Sequence, residues 1–457
     1  MRLVAIVAVL ALGSGACSDF LTGNGISNDP NAPTAATRDQ RLVAVEAAMD
    51  VQITGDIARS VCMFVQQCAG TDRQYATRAK YNTTSSDFDT QFTQIWIGGG
   101  LVDMRAIQSD AQAAGDFVYE GIGQVLEVLD IGTGADLWGD IPYSQAVSGA
   151  ADPMYDSQQS IYNALLGVLS QAITNLAGAG SGPGGVDLWY GGDKTKWTQL
   201  AHTLRARIYL HLCERDATNY AKALAEAKLG IASSANDFTT YQSSSPTEWN
   251  LWYQFDVVQR AGYIAAGAEL VDSIMNKRND PRLAAYFAPI TPGVYHGALE
   301  GQAFDPTLMS DFAAGRASGA AAQSFRQPLA TWAENELMIA EAAYQTGDQV
   351  TALGALNTEE AAAGFTTPLV GVSGVALLDS IMVEKYVVMF QNIEAWSDFK
   401  RECVPDLAPQ AGTQVIARLF YGLTEQTANT NAESDLTNAP NGRNWNDPNP
   451  CPGTGAI

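Results

Sequence analysis

The 457-residue chain holds only three histidines and lacks the H-E-x-x-H, G-x-S-x-G and P-loop spacings, so the usual routes to zinc hydrolysis, serine acylation and nucleotide binding have no foothold. C-x-x-C is missing too, which removes the common zinc and redox pairs. Nor is there EF-hand spacing among the many acidic residues. His202 and His211 are nine apart on one helical stretch, on roughly opposite faces, and His296 sits in loop sequence. No cofactor and no catalytic group are therefore expected. Basic residues are scarce: 26 Lys and Arg stand against 49 Asp and Glu, for a net charge of −23. They are scattered, so no stripe exists to neutralise phosphates, and nucleic acid is excluded as a partner. The same acidity excludes attachment to anionic lipid through a basic patch.

What is present is the composition of a packed globular protein, with 46% hydrophobic and 16% charged residues. Arg2 precedes an apolar run over residues 3–12, followed by Gly13-Ser14-Gly15-Ala16-Cys17, the layout of an export signal. The run is too short for a membrane span, which takes about 20 apolar residues. A cysteine placed there resembles the lipobox of bacterial lipoproteins, with Ser14 where Leu is usual. On that resemblance residues 1–16 are a lipoprotein signal peptide and Cys17 is the acylated first residue of the mature chain. Ser18 follows where Asp would retain the protein, as in lipoproteins that proceed to the outer membrane. Residues 17–37 then form the lipidated cysteine and an extended tether rich in Asn, Pro, Gly and Thr. The membrane contact is expected through this lipid anchor alone.

Five further cysteines leave at least one thiol unpaired in a monomer. Cys403 and Cys451 lie in Pro-containing loop sequence and are the better disulfide candidates. Cys62 and Cys68 fall on different faces of an unbroken helix and can pair only where that helix has ended. Cys213 extends an apolar helical stripe and reads as a buried, inert thiol.

Helix periodicity dominates the rest. Ile161, Leu165, Val168, Leu169, Ile173 and Leu176 form one stripe, with Asp156 or Ser157 as its N-cap. Trp197, Leu200, Ala201, Leu204, Ile208 and Leu212 form another. A third helix, 334–345, stops at Gly347-Asp348, where a new one begins through Ala352, Leu353 and Leu356. A fourth keeps Leu378, Ile381, Met382, Met389, Phe390 and Ile393 in register. Further helices are expected near Ala47 and over 96–107, 118–129, 220–229 and 262–275. Gly98-Gly99-Gly100, Gly121 and Gly123 are read as sites of close helix packing. Helix pairs joined by short polar turns are the unit of tetratricopeptide arrays. Gly, Ser and Pro-rich breaks at 178–185, 243–246, 289–301 and 364–374 interrupt this array, and loops on a rigid scaffold commonly carry recognition.

The segment from Asn335-Glu336-Leu337-Met338 to Gln345-Thr346-Gly347-Asp348 resembles the helix-turn signature of the SusD/RagB family of outer-membrane lipoproteins. Residues 381–392, followed by Glu394-Ala395-Trp396-Ser397-Asp398 and Arg401, are similar to that family's long helix and its E-x-W-x-D-x-x-R block. Asp136-Leu137-Trp138-Gly139-Asp140, Asn28-Asp29-Pro30-Asn31 and the lipobox fall where the family has comparable motifs. Ile416-Ala417-Arg418-Leu419-Phe420-Tyr421 resembles its P-x-R-x-x-Y element without the proline. The resemblance implies an all-α, mostly helical protein: a tetratricopeptide-like helix-pair array with an irregular loop-rich lobe, forming one SusD-like domain over 38–457. It further implies a cell-surface lipoprotein that binds an oligosaccharide or polysaccharide and passes it to a SusC-like TonB-dependent transporter. A peptide-binding member of the same family and a glycoside hydrolase are the alternatives.

Sugar capture needs flat apolar faces beside polar groups. The richest cluster is Trp249, Asn250, Trp252 and Tyr253, and further glycan-binding candidates are Tyr75, Arg78, Tyr81 and Tyr295. Trp189-Tyr190 in a Gly-rich loop is another such pair. Glu384, Glu394, Asp398 and Arg401 offer carboxyls of the kind glycoside hydrolysis uses, but their helical setting points to buried ion pairs that lock helices together.

Overall fold

Helix starts along the chain are set by side chains that accept the first free backbone N–H groups. Thr37 and Gln40 close a capping box on the first helix, and Ser157, Thr331 and Asp348 accept from the N3 amide of theirs. The computed structural model describes residues 36–409, 415–432, 442–451 and 454–455. The expected signal peptide 1–16, Cys17 and the tether up to residue 35 lie outside the described residues.

Among the described residues, eleven helices reach nine residues or more. They are α1 (Arg38–Thr54), α2 (Asp56–Phe64), α3 (Leu101–Ala113), α4 (Phe117–Trp138), α5 (Gln158–Leu176), α6 (Lys194–His211), α7 (Asn219–Ala227), α8 (Trp332–Gln345), α9 (Gln349–Ala363), α10 (Val375–Val388) and α11 (Glu394–Glu402). Strands are two or three residues long and pair only in twos, as Cys68–Gly70 does with Ile264–Ala266. The fold is thus mostly helical. Helices from α3 to α9 each pack on the next through α7 against α8, and α10 returns onto α8 before α11 closes against α2. This is the stacked, tetratricopeptide-like order that the sequence periodicity predicts. Residues 232–331, between α7 and α8, hold short strands, turns and helical pieces of at most seven residues and make the loop-rich lobe.

The expected stripes are the core. Ile161, Leu165 and Leu169 of α5 and Trp197, Leu200 and Ala201 of α6 are fully buried. Close packing at α4 needs glycine: a Cβ on Gly121 would stand 2.9 Å from Leu176 Cγ of α5. Among the described residues, no helix is long and apolar enough to cross a membrane.

Three expectations need correction. Gly98 and Gly99 have φ of 69° and 98°, so the helix expected over 96–107 begins only at Leu101, beyond a turn that L-residues disfavour. Gly99 still serves close packing, since a Cβ there would lie 2.5 Å from Ala48 Cβ. The helix through Leu378 stops at Val388; Gln391, with φ of 66°, redirects the chain, and Ile393 caps the separate α11. Over 262–275, Ile264–Ala266 is a strand because its backbone pairs with Cys68–Gly70, and only Glu269–Met275 is helical, with π geometry. That pairing sits beside a disulfide. Because α2 ends at Phe64, Cys68 swings back to bond Cys62, with a Cα separation of 5.2 Å. Cys403 and Cys451 form the second disulfide, tying the end of α11 to the C-terminal coil, and Cys213 is a free, buried thiol.

Candidate functional site

The stretch 249–253 folds around Asn250. Its side-chain oxygen accepts from the amides of Trp252 (2.9 Å) and Tyr253 (3.1 Å), its Nδ2 donates to Phe325 O (2.9 Å), and its own amide donates to Gln323 O (2.8 Å). Asn250 is therefore fully committed and fully buried. Trp252 is buried beneath it, edge-on to Phe312 at 5.6 Å. Tyr253 is also buried, accepts from Gln323 Nε2 (3.1 Å) and meets Trp249 edge-on at 5.4 Å. Only Trp249 of the four is half-exposed, its indole N–H donating to Ser244 O at 3.0 Å.

Tyr75, Arg78 and Tyr81 are placed apart from Trp249 and are buried as well. Arg78 spans Asp56 (2.7 Å) and Asp87 (3.1 Å), while the Tyr75 hydroxyl donates to Asp56. Tyr81 donates to Glu300 (2.8 Å) and accepts from Gln66 (2.8 Å). Burial pushes the Tyr75 hydroxyl up to about 12. These three lock the segment after α2 to the lobe. Tyr295 is half-buried against the main core.

The structure instead gathers a cleft of about 400 Å³ around Trp249. One wall is α1, through Val43, Glu46, Ala47, Asp50 and Val51; the others are Leu188-Trp189 and the loop carrying Tyr241, Thr247 and Glu248. The outer walls are pinned together: Arg326 donates to Thr240 O (2.7 Å) and Leu188 O (3.2 Å), and its guanidinium lies 5.6 Å from the Tyr241 ring. Gln242 Nε2 donates to Asp50 at 2.7 Å, fixing that loop to α1. Tyr241 is 39% exposed and Trp249 is half-buried, so the cleft offers aromatic surface mainly at Tyr241 and in part at Trp249.

Carboxyls supply its polar side. Burial and the adjacent Asp187 charge push Glu46, which is 1% exposed, up to about 10, so it is protonated at neutral pH. Its Oε2 accepts from Leu188 N at 2.9 Å, whereas Oε1 has no hydrogen-bond partner. Asp50 is pushed up to about 6 by burial, against the hydrogen bonds from Thr54 and Gln242 that favour its charge. Ring faces beside the partly exposed Asp50 carboxyl suit a polyhydroxylated ring. Sequence reading missed Tyr241, Glu46 and Asp50. Their signal was faint: α1 buries Leu42, Val45, Met49 and Ile53, which leaves Val43 (37% exposed) and Val51 (48%) as a second apolar stripe facing outward beside two acids.

The helix carboxylates are ion-paired inside the array. Glu384 faces Arg278 and Arg282; Asp398 meets Lys385 (2.7 Å) and Arg401 (2.8 Å); Arg401 also pairs with Glu341, and Glu334 pairs with Arg207. Asp136, His211 and Glu394 lie close enough to hold a metal ion. Here His211 Nδ1 is 3.0 Å from Asp136 and Nε2 is 2.6 Å from Glu394, and these two carboxylates, outweighing burial, raise the imidazole to about 10. In that state the cluster acts as an ion-pair lock joining α4, α6 and α11.

Residues 30–422 match the sequence profile of a SusD-like family described as starch-binding and associating with the outer membrane. Among solved structures, a SusD/RagB family protein from Bacteroides thetaiotaomicron is 22% identical, with a TM-score of 0.71 over 87% of this chain and 95% of that one. A chitin-binding protein superposes with a TM-score of 0.74 at 20% identity, over 90% of this chain and 100% of the other. A chitin-binding SusD homologue from Flavobacterium johnsoniae gives 0.70 at 21% identity, over 91% and 98%. At these identities the likeness shows a common fold. Comparison with curated proteins finds no match.

Proposed function

Because the chain belongs to the SusD-like family of starch-binding proteins that associate with the outer membrane, we propose that it captures an oligosaccharide in the cleft between α1 and the lobe and releases it chemically unchanged. The single observation that carries this reading is the cleft itself, with the rings of Tyr241 and Trp249 set beside the Asp50 carboxyl. A pyranose stacks its C–H face on such rings while its hydroxyls hydrogen-bond with that carboxyl. Trp249 is the contact residue, with Tyr253 buttressing it. Asn250 and Trp252 hold that loop, Tyr75, Arg78 and Tyr81 hold the neighbouring one, and Tyr295 is a half-exposed ring outside the cleft. Chito-oligosaccharides are the first ligands to test, since two structurally similar proteins are described as chitin-binding, and malto-oligosaccharides the second.

The same reading places the protein at the cell surface, anchored through lipidated Cys17, and has it hand its ligand to a SusC-like TonB-dependent transporter. Calorimetry with both oligosaccharide series tests the binding step: saturable heat that Trp249→Ala abolishes supports it. Release of reducing ends by the purified protein would instead make it a hydrolase. Labelling of Cys17 with a fatty-acid analogue, and recovery of a barrel partner from outer membranes, test the rest.

A further inference from the structure

Among the described residues, several buried arginines are matched by carboxylates, and one in the lobe is not. Arg78, Arg207, Arg282 and Arg401 each meet Asp or Glu. Arg316 is 8% exposed, yet its guanidinium contacts only neutral acceptors: Nε donates to Gln391 Oε1 (2.7 Å) and Nη2 to Phe390 O (3.1 Å). It is wrapped by three rings, 4.4 Å from the centre of Tyr286, 5.1 Å from Phe325 and 5.0 Å from Phe390. Those rings return part of the lost hydration of the guanidinium, but less than burial of an unpaired ion takes away. Among the described residues no carboxylate acts on Arg316 strongly enough to oppose the lowering that burial causes; the Tyr286 phenol does so instead.

Arg316 lines a pocket of about 280 Å³ between the lobe and the N-terminus of α8. No described residue accepts a hydrogen bond from Nη1, so that group is available to a ligand. Trp332, half-buried, provides a ring face in the same pocket, and Ser234 and Thr331 bring hydroxyls. Of the two acids in the pocket, only Asp237, pushed up to about 6 by burial, is ionised at pH 7. Glu359 is pushed up to about 10 by burial and the Glu384 charge, hence neutral at pH 7, and Asp237 is engaged by the Trp332 amide at 2.7 Å. Arg282 on the opposite side is satisfied by Asp280.

We propose that this pocket is a second ligand site that takes an acidic sugar, its carboxylate on Arg316 and its ring against Trp332. The volume fits one ring, not a chain, and a carboxylate is the planar partner that a guanidinium with a free edge recognises. The choice of a sugar rests on the glycan reading above; the need for a carboxylate rests on Arg316 alone.

The test is calorimetry of the whole protein with glucuronate, glucose, acetate and an N-acetylated dipeptide, in buffer free of phosphate and citrate. Saturable glucuronate heat is expected, with none from glucose at this site, and Arg316→Met should weaken it by at least about tenfold. Trp332→Ala, on the rim, should weaken it as well and covers the case in which Arg316→Met does not fold. No glucuronate heat, or an affinity untouched by Trp332→Ala or by a folded Arg316→Met, overturns the proposal. Acetate or dipeptide binding as tightly as glucuronate overturns the sugar assignment. Neutral oligosaccharide binding that depends on Trp249 but not on Arg316 reports separately on the cleft, so the two readings fail independently.

Discussion

The helical array and the loop-rich lobe use the same residue types to opposite ends. In the array, charged side chains are paired and buried: Lys385, Arg401, Asp398 and Glu341 form a closed network between α8, α10 and α11. At the lobe's edge, the Asp50 carboxyl borders an open cleft, and among the described residues no acid pairs with Arg316. Trp138, Trp197 and Trp396 are fully buried in the array; the lobe buries Trp252 and Phe312 too but leaves Tyr241 exposed and Trp249 partly exposed. Satisfaction of each group by its neighbours makes a frame; incomplete satisfaction makes room for a ligand.

Breaking the frame should have the largest effect. Arg401→Met leaves Glu341 and Asp398 short of a cation in the core and should cost about 3–5 kcal/mol of unfolding free energy by urea titration. Oligosaccharide affinity of the folded fraction should stay unchanged. A smaller change in both quantities would mean the network is solvated.

The next contrast lies within one loop. Trp252→Ala empties a fully buried site and should cost about 3–5 kcal/mol of stability. Trp249→Ala, three residues earlier, should shift stability little and cost at least about 1 kcal/mol of glycan binding. If the two variants behave alike, the division between holding and contacting residues is wrong.

Charge states sharpen the comparison further. The folded value for His211, about 10, lies above the ordinary imidazole value of about 6.5, so its stabilising contribution is complete below about 6.5 and is lost as pH rises through about 10. The thermal midpoint should fall over that alkaline range, and His211→Gln should remove that component of the fall. The smallest effect is expected at the cleft. Asp50 ionises near pH 6, and a carboxylate accepts more strongly than a carboxylic acid, so glycan affinity should rise a few-fold from about pH 5 to 7. Asp50→Asn should make the affinity independent of pH in that range.

Much of the frame was legible before any coordinates. The stripes of α5 and α6, the stop at Gly347-Asp348, the pairing condition on Cys62 and Cys68, and the ion-paired role of Glu384, Glu394, Asp398 and Arg401 follow from periodicity, capping and charge. The site was much less so. Asn250, Trp252, Tyr75 and Tyr81 look like ligand-binding residues in one dimension because they are polar or aromatic and lie in loop sequence. Each is taken up by neighbours distant in sequence, as Asn250 is by Phe325 and Tyr81 by Glu300.

The sequence by itself determined a helical array with an acidic surface, because repeats of about 3.6 residues and charge counts need no knowledge of distant contacts. Which loop aromatics remain open, which carboxyls stay protonated and which buried arginine meets neutral acceptors instead of an acid were decided only in three dimensions. Burial and counter-charge come from segments hundreds of residues apart, and their sum at one point is a property of packing.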